Sequence, residues 1–483
     1  MIKIAVLFCF GGLCAGAAES WKADLAEGEQ LLDRGRYREA EVLFQRVLAV
    51  VEKDPGTPNR EYPVALNNLA SAWRFMGRYR EAESLYHRAI ETAERTSGSE
   101  SVMLGRFLNN LATVQAALGK NAEAGRSYLR ALAMQQKLLG PQVDTATTMN
   151  NLGSCYVVQA RYREARDMFE RALAIKERVL GPDHAAVGTL QNNLGELYVR
   201  THDLQRAERS FRAALRILEA SVGQDHPGVA EVLSNLGDLC RSQGKLTAAE
   251  RYERRALAIQ EAALGPDHPQ VATTLNNLGR VMQAEQRYAE ATKLLERSIE
   301  IRVRAEGPVH RDVATGWNNL AGLASDQRQF DRAAELYARA LGIWEKVLGP
   351  QHPLVATALH NLGGTCLRQG RFQQAEPYYR RALGIWEDVL GPGDPNVALA
   401  LAGYAQVLRH TGRKPEAREM EKRAAAIRGN SQLATGHTID VRDPRAAAAV
   451  QRPVPSLSDS IRDSWDSIRA PGVPAVLRPE TVK

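Results

Sequence analysis

Residues 143–181 read VDTATTMNNLGSCYVVQARYREARDMFERALAIKERVLG. Met149, Leu152, Gly153 and Tyr156 fall at spacings of three and four, which predicts one face of a helix. Gly153 has no side chain, so a neighbouring helix can pack closely against it. A turn follows at Gln159-Ala160-Arg161. Tyr162, Ala165, Phe169, Ala172, Leu173 and Ile175 then mark a second, longer amphipathic helix. Leu180-Gly181-Pro182 stops it, because glycine accepts the left-handed conformation that closes a helix and proline cannot continue one.

The same unit returns every 42 residues, with one step of 41 between Asn110 and Asn151. Its clearest marker is an asparagine found in eight consecutive units: Asn68, Asn110, Asn151, Asn193, Asn235, Asn277, Asn319 and Asn361. A second asparagine often precedes it, as at Asn150, Asn192, Asn276 and Asn318. Ala165 belongs to a longer column, Ala40 through Ala417, which counts ten units. A short residue there lets the two helices of one unit approach. The stop recurs at Leu139-Gly140-Pro141, Leu264-Gly265-Pro266, Leu348-Gly349-Pro350 and Leu390-Gly391-Pro392. The next helix opens after Asp225-His226-Pro227 or Asp267-His268-Pro269, where proline suits the first helical position. Two helices and two turns leave no room for strands, and the repeated Gly-Pro excludes a continuous coiled coil.

A period of this size predicts a stacked array in which each unit buries its apolar face on its neighbours. Such an array escapes the single-core limit of roughly 250–300 residues, which this chain of 483 residues exceeds. The net charge of +7 arises from 63 basic and 56 acidic residues that are interleaved. That is a solvated surface with a mild basic excess, and no nucleic-acid partner is expected. Cys155, Cys240 and Cys366 lie in three different units and read as buried small hydrophobes. No phosphate-binding glycine loop, His-Glu-x-x-His or nucleophile elbow occurs, and no cofactor is expected.

Leu152, Gly153, Tyr156, Ala165, Phe169 and Ala172 resemble the tetratricopeptide repeat signature. The 42-residue length and the Leu-Gly-Pro-Asp-His-Pro linker are similar to the kinesin-light-chain subtype. The resemblance covers roughly residues 22–428. It implies an all-α solenoid of about ten helix pairs, a right-handed superhelix whose first helices line a concave groove. It also implies a protein or peptide partner. Glu253 and Glu421 depart from the pattern at the position of Phe169, as does Asn121 at the aromatic position of the turn.

The asparagine column is the candidate binding element. In related repeats such an asparagine contacts the backbone of an extended peptide, and its amide can pair with a peptide N–H and C=O together. The competing reading is that it bonds a neighbouring unit and orders the stack. Thr147, Thr189, Thr273, Thr315 and Thr357 either line the groove edge or cap helix starts, and capping is the expected role. His184, His226, His268, His310 and His352 are read as turn and cap residues, because neighbours stand about 10 Å apart and zinc needs its ligands at about 2 Å. Glu196, Asp238, Arg280 and Arg241 vary between units and are placed to set specificity. Arg130, Arg171, Arg255, Arg297, Arg339 and Arg381 read as an ion-paired outer face.

Two terminal segments differ in character. Residues 1–18 resemble a secretory signal, with Lys3, an apolar run from Ile4 to Leu13 and small residues at Ala17-Ala18 for cleavage. Export to the periplasm or medium is therefore expected, without membrane insertion. Residues 429–483 are proline-rich and expected to be disordered. Leu457, Ile461, Trp465 and Ile468 within 457–469 form a short amphipathic pattern, either a docking peptide or a cap on the last unit. The sequence thus predicts a non-enzymatic scaffold for a peptide or protein segment over residues 19–428. The alternative is an assembly protein that self-associates through solenoid ends or the tail.

Overall fold

The structure is a computed structural model and describes residues 11–52 and 61–435. The first ten residues, which carry Lys3 and much of the expected signal, lie outside the described residues, as does the 457–469 motif. The expected cleavage site at Ala17-Ala18 falls inside the first helix.

Twenty α-helices and no strand occur among the described residues. They are α1 (Gly11–Asp33), α2 (Tyr37–Val51), α3 (Glu61–Phe75), α4 (Tyr79–Ser97), α5 (Val102–Ala117), α6 (Asn121–Leu138) and α7 (Val143–Val158). There follow α8 (Tyr162–Leu180), α9 (Ala185–Arg200), α10 (Leu204–Val222), α11 (Pro227–Ser242), α12 (Leu246–Leu264), α13 (Pro269–Ala284) and α14 (Tyr288–Glu306). The last are α15 (Arg311–Asp326), α16 (Phe330–Leu348), α17 (Pro353–Arg368), α18 (Phe372–Leu390), α19 (Pro395–His410) and α20 (Lys414–Thr435). Odd-numbered helices are the first of each pair and even-numbered helices the second.

The described residues divide into two compact units, one of 11–52, 61–201 and 216–222, the other of 202–215 and 223–435. In the first, α1 packs on α2, α3 on α4, α5 on α6 and α7 on α8. In the second, pairs run from α11 with α12 to α19 with α20. Within each unit second helices also pack on the next first helix, as α2 on α3 or α12 on α13. First helices touch first helices one pair on: α1–α3, α3–α5, α5–α7 and α7–α9 in one unit, α11–α13, α13–α15 and α17–α19 in the other. Each unit is therefore a stack of helix pairs with its first helices in one layer.

The alanine column does what its size allows: every member from Ala40 to Ala417 is 0% exposed. A Cβ on Gly153 would stand 2.7 Å from the Phe169 ring, so this glycine is required by the approach of α8 to α7. The cysteines are free, Cys155 and Cys366 buried and Cys240 half-buried.

The turn inside each pair needs a left-handed residue. Gly35, Gly77, Gly119, Gly244, Gly370 and Gly412 supply it, but Ala160, His202, Gln286 and Arg328 occupy the same place with φ of 56°, 60°, 62° and 59°. A side chain there costs about 1–2 kcal/mol, partly offset by the entropy that glycine loses on folding. Gln286→Gly is expected to stabilise the second unit by about 0.5–1 kcal/mol. A urea midpoint that falls instead would contradict this account of the turn.

Candidate functional site: the asparagine ladder

The asparagines meet one another across the stack. Asn110 Nδ2 donates to Asn67 Oδ1 at 3.0 Å, Asn151 to Asn109 at 3.1 Å and Asn193 to Asn150 at 2.8 Å. In the second unit Asn319 donates to Asn276 at 2.8 Å and Asn361 to Asn318 at 3.1 Å. Within a helix the first asparagine hands its own amide to the second, as Asn67 to Asn68 at 3.1 Å and Asn150 to Asn151 at 3.3 Å. At the start of the row Asn68 donates to Glu29 Oε1 at 2.9 Å. The donors and acceptors are 43 or 42 residues apart in sequence, so the ladder reads one repeat against the next.

Of the candidate residues, Asn68, Asn150, Asn151, Asn192, Asn193, Asn276 and Asn318 are buried. Asn110, Asn235, Asn277, Asn319 and Asn361 are half-buried. Asn192 donates to Glu196 Oε1 at 3.3 Å, and Asn235 is not free either. Asn277 differs: Ser234 holds the acceptor position one repeat back, and no hydrogen-bond partner stands against Asn277 among the described residues. The acceptors Asn67 and Asn109 were not among the sequence candidates; their signal was the doubled Asn-Asn. In the second unit His360 takes the first asparagine's place one repeat after Asn318, between the rings of Tyr379 and Trp386. Burial pushes its imidazole down to about 4, so it stands neutral.

The ladder is flanked by less buried side chains that change from repeat to repeat. On α7 they are Thr147, Ser154 and Val158, the last 37% exposed. On α9 they are Thr189, Glu196 and Arg200. On α11 and α13 Asp238 lies 2.8 Å from Arg241 and 3.9 Å from Arg280, so three of the four charges expected to set specificity are already paired with each other.

The threonine column does not cap. Thr147, Thr189, Thr273, Thr315 and Thr357 sit one turn inside their helices and donate to the carbonyl four residues back, as Thr147 to Val143 at 2.9 Å. The caps are the histidines. His184, His226, His268, His310 and His352 each precede a first helix, and Nδ1 accepts the N–H two residues on at 3.1–3.3 Å. A ring nitrogen two bonds beyond Cβ reaches that N–H, whereas the threonines are already past the open donors.

One of these caps stands in a charged cluster. His310, Glu306 and Asp312 bring ligand-type atoms within 4.8 Å of one another. Arg302 already supplies a cation, at 3.3 Å from Glu306 and 3.2 Å from Asp312. Glu306 Oε2 lies 2.7 Å from His310 Nδ1, and this hydrogen bond holds the imidazole above its ordinary value. Nδ1 serves one task at a time: protonated, it donates to Glu306; neutral, it caps Asp312. On the second helices, Arg130 pairs with Glu94, Arg297 with Glu261 at 2.7 Å and Arg381 with Glu345 at 2.6 Å, linking neighbouring pairs. Exposed pairs of this kind contribute about 0–1 kcal/mol each.

A profile of the tetratricopeptide repeat matches residues 23–95, 61–137, 103–178, 144–220, 186–262, 229–302, 312–388 and 365–430. No curated protein matches the sequence. Among solved structures, BtubC (BKLC) from P. vanneervenii is 25% identical, with 50% of this chain and 94% of that one covered at a TM-score of 0.41. A Podosopora anserina kinesin light chain of nearly identical TPR-like repeats is 24% identical, covering 43% and 98%, with a TM-score of 0.37. The STAND signal-transduction ATPase with a tetratricopeptide repeat sensor from Pyrococcus horikoshii is 12% identical. There 80% of this chain overlays 56% of that one at a TM-score of 0.52, a likeness of fold.

Proposed function

The chain belongs to the tetratricopeptide repeat family, and from that premise we propose that it is a non-enzymatic scaffold that holds a peptide or protein segment along its row of first helices. The observation that carries this reading is the ladder with its flanks. Amides in a fixed register align the first helices, and side chains that differ between repeats stand beside them. A bound segment would read the flanking residues for identity and the half-buried asparagines for register. Each added amide bond contributes about 0.5–1.5 kcal/mol. Asn277 is the best placed of them, since the ladder does not use it. Export, proposed from residues 1–18, would put the partner outside the cytoplasm. No helix among the described residues is long and apolar enough to cross a membrane.

The test is a cross-linked pull-down from native extract with three baits: the chain, Asn277→Ala and Val158→Glu. Both substitutions fall on side chains outside the ladder, so circular dichroism should report unchanged folding. A partner held by the chain and weakened by the variants identifies the ligand and its location. Equal capture by all three baits would remove function from the first-helix row.

A further inference from the structure

Lys176, on α8, is 4% exposed, and among the described residues no acceptor lies within hydrogen-bonding or ion-pairing distance of it. Every other repeat fills this column differently, with Val51, Ala93, Gln135, Leu218, Gln260, Arg302, Trp344, Trp386 and Arg428. Beside it stands His184, the cap of α9. Its Nδ1 accepts the Ala186 N–H at 3.1 Å, which leaves the proton on Nε2. Nε2 is buried and makes no hydrogen bond. Burial and the nearby Lys176 charge both push His184 down, and burial alone brings Lys176 down to about 8. Two donors, one of them cationic, thus meet at the α8–α9 junction with no acceptor, next to the positive end of α9.

The same junction three repeats further on shows what is missing. There Arg302 takes the place of Lys176 and His310 the place of His184. Glu306 and Asp312 complete it, at 3.3 Å and 3.2 Å from the guanidinium, and Glu306 also lies 2.7 Å from the imidazole. At the Lys176 junction those two positions are Leu180 and Ala186. The cation and the imidazole are kept, and both carboxylates are absent. The Lys176 side chain is nearly all buried, its ammonium keeps only a narrow opening to solvent, and no carboxylate supplies its counter-charge.

We propose that the α8–α9 junction formed by Lys176, His184 and the first turn of α9 binds a carboxylate supplied by another molecule, which does for Lys176 and His184 what Glu306 does for Arg302 and His310. The carboxylate accepts from the Lys176 ammonium and from His184 Nε2–H, whereas Glu306 meets its imidazole at Nδ1. Its source is either an acidic side chain of a bound polypeptide or a free small carboxylate. The site uses no asparagine of the ladder.

Thermal unfolding of the full chain tests this, with acetate and a tetraglutamate peptide as probes and chloride at equal ionic strength as the reference. The chain should melt about 1–2 °C higher at ten times the dissociation constant. Lys176→Met, which removes the charge and keeps the volume, should melt higher than the chain and ignore both probes. Leu180→Glu places the carboxylate in the chain itself and should likewise raise the melting point and abolish the response. A response to acetate assigns a free carboxylate; a response to the peptide alone assigns a side chain of a partner. An equal shift in the chain and in Lys176→Met, or no shift with either probe, overturns the proposal.

Discussion

Replacing Glu253 by leucine is expected to stabilise the second unit by about 1–3 kcal/mol at pH 8 and to flatten its pH dependence. Glu253 is 0% exposed, at the position that Phe169 fills in the first unit. Ser234 donates to its Oε2 at 3.1 Å, and Oε1 is buried with no partner. Burial, aided by the nearby Asp238 carboxylate, pushes its acid well above the ordinary 4.5. The unfolded chain releases this proton near 4.5, and the folded chain holds it to a higher pH. Folding therefore takes up a proton in between. The contribution is complete below 4.5 and is lost as pH rises through the folded value, at up to about 1.4 kcal/mol per pH unit. Leucine suits the site, because the next repeat packs Leu295 against Gly279 where this one packs Glu253 against Gly237. Urea midpoints at pH 5, 7 and 8 provide the check. A variant that keeps the parent's downward slope would show that another group titrates.

Breaking the ladder at Asn109 should cost the first unit about 2–4 kcal/mol. Asn109 Oδ1 accepts from Asn151 at 3.1 Å and from Thr148 at 3.3 Å, and its own amide faces Asn110 at 3.5 Å. Asn109→Ala removes the shared acceptor and leaves two buried donors, Thr148 and Asn151, unanswered. Asn277→Ala is the matched control, since that amide has no ladder partner among the described residues, and it should change stability by less than about 0.5 kcal/mol. Chemical denaturation of the two variants against the parent measures the contrast. Equal midpoints for Asn109→Ala and Asn277→Ala would mean that the ladder bonds are matched by water in the unfolded chain and do not order the stack.

The competing readings of the asparagine column turned on contacts that a periodic sequence cannot display. A residue repeated every 42 positions faces the same way in every unit, but its partner depends on the offset between stacked helices. That offset pairs Asn110 with Asn67 rather than with Asn68, its counterpart in the repeat. The threonine caps failed for a similar reason. Thr147 lies near a helix start in sequence but already a full turn in, and where a histidine opens the helix, as His184 does five residues before Thr189, its ring meets the open donor.

By itself the sequence determined the helix pairs, their stops and the alanine column, because these rest on interactions within about a turn or between units that repeat without change. Gly153 was legible too, since a missing side chain at a packed position has one reading. Tertiary structure alone decided which charges lack partners. Glu253 and Lys176 are ordinary surface residue types, and each is buried because its column points inward in the repeats on either side of it. Tertiary structure also placed Gln286 and Arg328 in a left-handed turn that six other repeats give to glycine. In each case the repeat imposes a shared environment on a residue that departs from the pattern, and the energetic consequence exists only once the neighbouring repeats are packed around it.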